Sequence, residues 1–374
     1  MSLDRIIKAL LIFVPIAIIA DFVLHLDPVI VFIVAALGVI PLADLIGEAT
    51  EELAIHTGPK LGGLLNATLG NAAELIITIF AIREGLLDLV RASITGSIIG
   101  NLLVVLGLSI LLGGLKNGIQ VFDRRTAGLN ATMLILAVVA LAVPSLFDVA
   151  IQESRAAELG LSEGVAVVMI ILYGLSVLYS FTQGNKPHPQ HPSNPVEAAG
   201  VPIQHEAEEM HTAKWSVRTA GIILTAATIG IVLLSEALVS SVEPVTQQLG
   251  LTEFFIGIII IPLVGNIAEH LVAVQVAIKN KMELSLAVSL GSSLQIALFV
   301  APVLVFISLI PGLNPTGEPL LLVFNSFELI SLIGASMVAA FIALDGESNW
   351  LEGAMLIGVY FMIGLAFFFL PGTA

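Results

Sequence analysis

Two short stretches carry the residues whose types and spacing could do chemistry. Gly70-Asn71-Ala72-Ala73-Glu74 and Gly265-Asn266-Ile267-Ala268-Glu269 share the pattern G-N-x-A-E, the second 195 residues after the first. Each lies in an apolar run, where an ionisable side chain is costly and marks an ion or proton route. The same register pairs Gly96-Ser97 with Gly291-Ser292 and Asn130 with Asn325. Glu74 and Glu269, with nearby backbone and amide oxygens, form an all-oxygen set. An all-oxygen set with two carboxylates suits Ca²⁺, and suits Mg²⁺ less because it gives up its water reluctantly. The chain contains no cysteine, so disulfides and thiolate metal sites are excluded.

Charge arithmetic turns the pair into an expected mechanism. Two carboxylates with one dication sum to zero, and two protonated carboxyls are also neutral. Empty and ionised, the site would hold two negative charges in a low-dielectric cavity, at several kcal/mol per uncompensated ion. Only the loaded, neutral states should cross between inward- and outward-facing forms. That is obligatory exchange, with about two protons per Ca²⁺ as the minimum.

Other polar residues fall at the same depth. Ser97 and Asn101 flank Gly100, and Ser292, Ser293 and Gln295 surround the corresponding stretch of the second half. Each can offer oxygen to an ion, and interhelical hydrogen bonding accounts for any one of them about as well. His270 points about 100° away from Glu269 on a regular helix, as a proton-linked gate residue or a satisfied packing histidine. Glu328 has no acidic counterpart in the first half, where Met133 stands in its place. It reads as a proton site or a protonated core residue. Asp44, Glu48 and Glu52 recur every four residues near one helix end, and Glu236 and Glu243 near another. They read as solvated ends or as acidic vestibules that concentrate cations, with Glu48 and Glu236 the members expected to reach the cavity.

These residues need a membrane-spanning frame. Of 374 residues, 57% are hydrophobic and only 11% charged, and the mean hydropathy is +1.04. A soluble domain carries about 25% charged residues, so a cytosolic enzyme, a secreted disulfide scaffold and a disordered chain are excluded. The 29 acids and 14 bases give a net charge of −15, which disfavours nucleic-acid binding. Long apolar windows predict an all-α, multipass protein of eleven transmembrane helices. The candidates are 5–23, 28–52, 59–82, 91–116, 125–148, 163–186, 215–242, 252–278, 283–318, 319–344 and the run after Glu352. With that count, eleven Lys and Arg fall on the N-terminal side and only Arg83, Arg91 and Arg155 on the other. The positive-inside rule then puts the N-terminus in the cytoplasm and the C-terminus outside, in the cell membrane.

The repeat divides the chain into an N-terminal helix (1–27), a first five-helix unit (28–184), a Pro-, His- and Glu-rich cytoplasmic linker (185–212) and a second five-helix unit (213–374). Five is odd, so the units enter the membrane from opposite sides. Inverted repeats belong to secondary transporters, with the site near the midplane where the repeats meet. Gly70-Asn71, Gly265-Asn266, Gly96, Gly100 and Gly291 predict unwound backbone there, tolerated where it lines a cavity.

The motifs resemble the Ca²⁺/H⁺ exchanger family of the Ca²⁺/cation antiporter superfamily. The resemblance is carried by G-N-A-A-E-L (70–75), G-S-I-I-G-N (96–101), G-N-I-A-E-H (265–270), A-I-K-N-K-M-E-L (277–284) and G-S-S-L-Q-I-A-L-F-V-A-P (291–302). It implies an eleven-helix inverted-repeat fold and Ca²⁺ coordination by Glu74 and Glu269 with Asn71 and Asn266. It also implies flanking roles for Asn101, Ser292, Gln295 and His270. Ca²⁺ and protons would be cargo, the bilayer the surrounding partner, and no cofactor is called for. A Na⁺-coupled exchanger of the same superfamily is the nearest alternative, and a cation channel the alternative of another class. An intramembrane enzyme would need a nucleophile or catalytic metal constellation, and the sequence offers none.

Overall fold

The computed structural model describes residues 3–151, 154–183 and 213–370; the expected linker lies outside them. The fold is helical. In chain order the helices are α1 (Arg5–Val23), α2 (Pro28–Thr57), α3 (Pro59–Leu69), α4 (Ala72–Arg83), α5 (Leu87–Asn117), α6 (Arg124–Ile151) and α7 (Arg155–Gln183). They continue with α8 (Val217–Ser240), α9 (Val242–Leu249), α10 (253–278), α11 (Met282–Ser308), α12 (Ser326–Asp345) and α13 (Trp350–Phe368). Among the described residues, nine helices are long and apolar enough to cross a membrane, or ten if α9 and the first part of α10, bent by 115°, count as one span. The expected span at 59–82 is two shorter helices, α3 and α4, on either side of Gly70-Asn71.

Local sequence explains the helix starts. Asp27 accepts from Val29 N–H at 2.9 Å, with Pro28 in the first helical position, so α2 begins on a capped, pre-set turn. Asn325 and Asn349 open α12 and α13 with capping boxes closed by Glu328 and Glu352. Lipid supplies no hydrophobic drive between helices, so they associate through close packing at small residues. On the long pair α2 and α8, Leu234 lies over Gly38, with Cδ2 only 2.5 Å from where a β-carbon would stand. Leu42 lies over Gly230 at 2.8 Å in the same reciprocal way.

Glycine behaves differently from the expectation of broken helices. Gly70-Asn71 does interrupt the chain, with Asn71 at φ −99° and ψ 24°. Gly265-Asn266, Gly96 and Gly291 instead lie inside regular helix. A helical glycine costs only about 1 kcal/mol relative to alanine, so neighbours decide. At Gly96 a β-carbon would run into the Ile258 carbonyl, and at Gly265 it would press on Glu74. These glycines permit contact between helices rather than unwinding. The backbone loosens at π-helical turns instead, at Gly100–Val105 in α5 and Ile296–Val300 in α11, which match in the 195-residue register. A third, Ile256–Ile260, lies in α10. Such turns expose carbonyls and recur at functional sites.

The loops sort onto two faces. Gln120–Val121 pairs antiparallel with Glu347–Ser348, joining the α5–α6 and α12–α13 loops. Asn117 and Gln120 donate to the Ala277 carbonyl, closing the end of α10 on that same face. A cavity of about 410 Å³ gathers the α4–α5, α6–α7 and α9–α10 loops and the 316–323 segment on the other.

Candidate functional site

The carboxylates arrive from different backbone settings. Glu74 lies in the first turn of α4, just past the Gly70-Asn71 break, and is 3% exposed. Glu269 sits in the middle of α10, partly buried, beside Ser292 of α11. The pair is therefore symmetric in sequence and unequal in its backbone setting. The two groups are close enough to repel one another.

Each glutamate crosses onto the other repeat's glycine. A β-carbon on Gly265 would stand 3.3 Å from Glu74 Cγ, and one on Gly70 would stand 3.5 Å from Glu269 Oε1. The motif glycines thus seat the opposite carboxyls. A second crossed pair repeats the symmetry. Asn266 donates to Ser97 Oγ at 3.2 Å, and Asn71 Oδ1 accepts from Ser292 at 3.5 Å.

The remaining polar residues close a network. Asn71 Nδ2 donates to Gln295 Oε1 at 2.6 Å, and Asn101 Nδ2 donates to Ser292 Oγ at 3.0 Å. With its amide nitrogen committed, Asn101 Oδ1 can only accept, so His270 donates from Nε2 across 3.2 Å. His270 is 7% exposed and serves as an anchored donor. Ser293 turns to the Ser289 carbonyl of its own helix at 2.9 Å, away from this network.

A cation-shaped need remains in this arrangement. Glu74 Oε1 and Glu269 Oε2 are buried without a hydrogen-bond partner, and an unpaired buried charge is strongly unfavourable. Among the described residues no group of three or more His, Asp or Glu could hold a metal. A cation would rest on two carboxylates completed by amide, hydroxyl and backbone oxygens, which fits the preference of Ca²⁺ for six to eight oxygens.

The peripheral acids divide. Glu48 is ion-paired with Lys8 at 3.6 Å and 29% exposed, and Glu236 is exposed on α8; neither joins the network above. Glu52, expected at a solvated helix end, is only 6% exposed and accepts from the Trp215 amide at 3.0 Å. His56, one turn on, holds the Trp215 carbonyl at 2.8 Å. Together they clasp the start of α8 to the end of α2. The cause is tertiary, because the chain entering α8 passes over this end and dries it. Glu328 is 2% exposed and closes the α12 capping box, a pattern spelled by Asn325-Ser326-Phe327-Glu328. Its partner across the helix gap, Thr95, was not visible as a candidate, since a lone threonine in an apolar helix carries no pattern.

A family model described as sodium/calcium exchanger protein matches residues 28–182 and 219–369. The chain belongs to the sodium/calcium exchanger family. It is 46% identical to a Ca²⁺/H⁺ antiporter of Aphanothece halophytica, over 98% of this chain and 97% of that one. It is 42% identical to the Ca²⁺/H⁺ antiporter ChaA of Bacillus subtilis, over 96% and 97%. A solved structure of native YfkE superposes with a TM-score of 0.81 at 39% identity, covering 98% of this chain and 100% of that one. This family member is a multipass membrane protein built on the same helical frame.

Proposed function

We propose that the protein exchanges Ca²⁺ for protons across the cell membrane by alternating access, exporting Ca²⁺ from the cytoplasm. The observation that carries this reading is the crossed pair of carboxylates. Glu74 and Glu269 each rest on the other repeat's glycine, and each keeps a buried oxygen without a donor. One Ca²⁺ or two protons neutralise that pair, and the ionised empty site is the state that should not cross. Relatives named as Ca²⁺/H⁺ antiporters over nearly the whole chain support the choice of ions. Asn71 and Asn266 complete the ion's oxygens in this reading. Ser97, Asn101, His270, Ser292 and Gln295 set their orientation. The sodium/calcium exchanger family keeps Na⁺ coupling as the second reading.

The loop faces support eleven crossings and a first unit that runs from residue 28. The Trp215 clasp ties the end of α2 to the start of α8, whose other end leads through α9 to Glu253 at the cavity. In this reading residue 57 lies on the face opposite residue 85, and the broken pair α3–α4 crosses between them. With eleven crossings, the bias of Lys and Arg puts the N-terminus in the cytoplasm and the C-terminus outside.

The test uses purified protein in liposomes. An imposed proton gradient should drive Ca²⁺ uptake, and Glu74→Gln or Glu269→Gln should abolish it. Uptake driven only by a Na⁺ gradient would overturn proton coupling, and transport retained in both variants would overturn the site.

A further inference from the structure

Glu328 is a buried acid that lies outside the Glu74–Glu269 network. Glu328 Oε2 accepts from the Asn325 backbone N–H at 2.8 Å, and Oε1 accepts from the Thr95 hydroxyl at 3.1 Å. Thr95 is fully buried on α5, directly before Gly96-Ser97, where Ser97 accepts from Asn266. The 410 Å³ cavity opens on the other side. Arg91 and Asp88 line it one and two turns before Thr95 on α5, and Leu321 and Val323 line it just before Asn325. Both walls thus lead inward to the Glu328–Thr95 pair. The charged groups that face Glu328 are Arg91 and Asp88, which are ion-paired with each other.

The geometry points to Glu328 as a proton station on the outer route, passing protons between the cavity and the Glu74–Glu269 pair while taking no part in holding Ca²⁺. Oε2 is committed to a backbone donor, so the proton resides on Oε1. The Thr95 hydroxyl donates to Oε1 when Glu328 is ionised and accepts from it when Glu328 is protonated, because a hydroxyl can do either. One proton enters Glu328 from cavity water and one leaves toward the site, and no other bond changes. The capping box alone does not account for the acid. Glutamine closes that box equally well, and the cap needs no contact with Thr95.

This inference rests on the exchange reading above, and the experiment separates the two. Glu328→Gln keeps the cap and removes the titrating group. Wild type, Glu328→Gln and Thr95→Val are reconstituted and assayed for Ca²⁺ uptake driven by a pH gradient and for Ca²⁺/Ca²⁺ counterflow at equal pH. Glu328→Gln should slow proton-driven uptake by at least about tenfold and leave counterflow within about twofold of wild type, the mark of a lost proton relay. Thr95→Val should slow proton-driven uptake in the same selective way by a smaller factor. Proton-driven uptake unchanged in Glu328→Gln, or both modes lowered by one common factor, overturns the assignment. Wild-type protein that ignores a pH gradient overturns the exchange reading itself, and this inference with it.

Discussion

Replacing Gly265 by alanine should weaken Ca²⁺ binding while leaving the fold almost untouched. The added methyl would stand 3.3 Å from Glu74 Cγ and 3.5 Å from Cδ. Carbon atoms settle about 3.5–4.0 Å apart, so the carboxyl must withdraw by roughly 0.3–0.5 Å. Calcium binds oxygen at about 2.3–2.6 Å. Stretching one contact from about 2.4 to about 2.8 Å costs roughly 2 kcal/mol at an effective dielectric constant of about 20. That corresponds to about a 30-fold loss of affinity. The obstacle is the near part of a flexible side chain, so the stability cost should stay below about 1.5 kcal/mol. The assay is the Ca²⁺ dependence of proton-driven uptake in liposomes, alongside thermal unfolding in detergent. The half-saturating Ca²⁺ concentration should rise by about 30-fold, with the unfolding midpoint nearly unchanged. Half-saturation within about twofold of wild type would show that the Gly265 seat does not position Glu74, and the crossed-seat argument would fail.

Gly96→Ala should do the opposite and damage the fold. Its β-carbon would meet the backbone of Ile258, with the carbonyl carbon at 2.6 Å and Cα at 2.7 Å, and backbone cannot swing aside. Overpacking of this kind costs about 1–3 kcal/mol, so the unfolding midpoint should fall clearly, and an unchanged midpoint would contradict the packing. Protons and Ca²⁺ competing for the same two carboxylates require half-saturation to rise as pH falls on the Ca²⁺ side. The rise should approach about tenfold per competing proton per pH unit, and a flat profile would exclude competition. The chain has no cysteine, which makes topology easy to probe. Val121 and Glu347 are register partners, and Val121 is 74% exposed. Val121→Cys with Glu347→Cys should crosslink under oxidation, and Val121→Cys alone should react with an impermeant thiol reagent only in inside-out vesicles. Labelling of intact cells would reverse the assigned orientation.

Much of this protein is legible in its sequence for a physical reason. A bilayer demands long apolar helices, and it makes every acid within them conspicuous. The 195-residue register of Glu74 and Glu269 therefore follows from residue order alone, and so do the expectations of five helices per repeat and of a Lys/Arg bias. The capping boxes at Asn325 and Asn349 are likewise local patterns. What tertiary structure decided concerns contact between distant residues. Gly265 and Gly96 read as helix breakers, but they lie in regular helix because other helices press on them. Glu52 reads as a solvated end, but the chain entering α8 covers it. His270 could be a gate or a packing residue, and Asn101 decides that it is an anchored donor. Thr95 carries no signal until Glu328 approaches from a helix 233 residues away. Composition and periodicity report where a residue sits relative to lipid. Which side chain it meets there depends on how the two repeats cross, and only the folded chain specifies that.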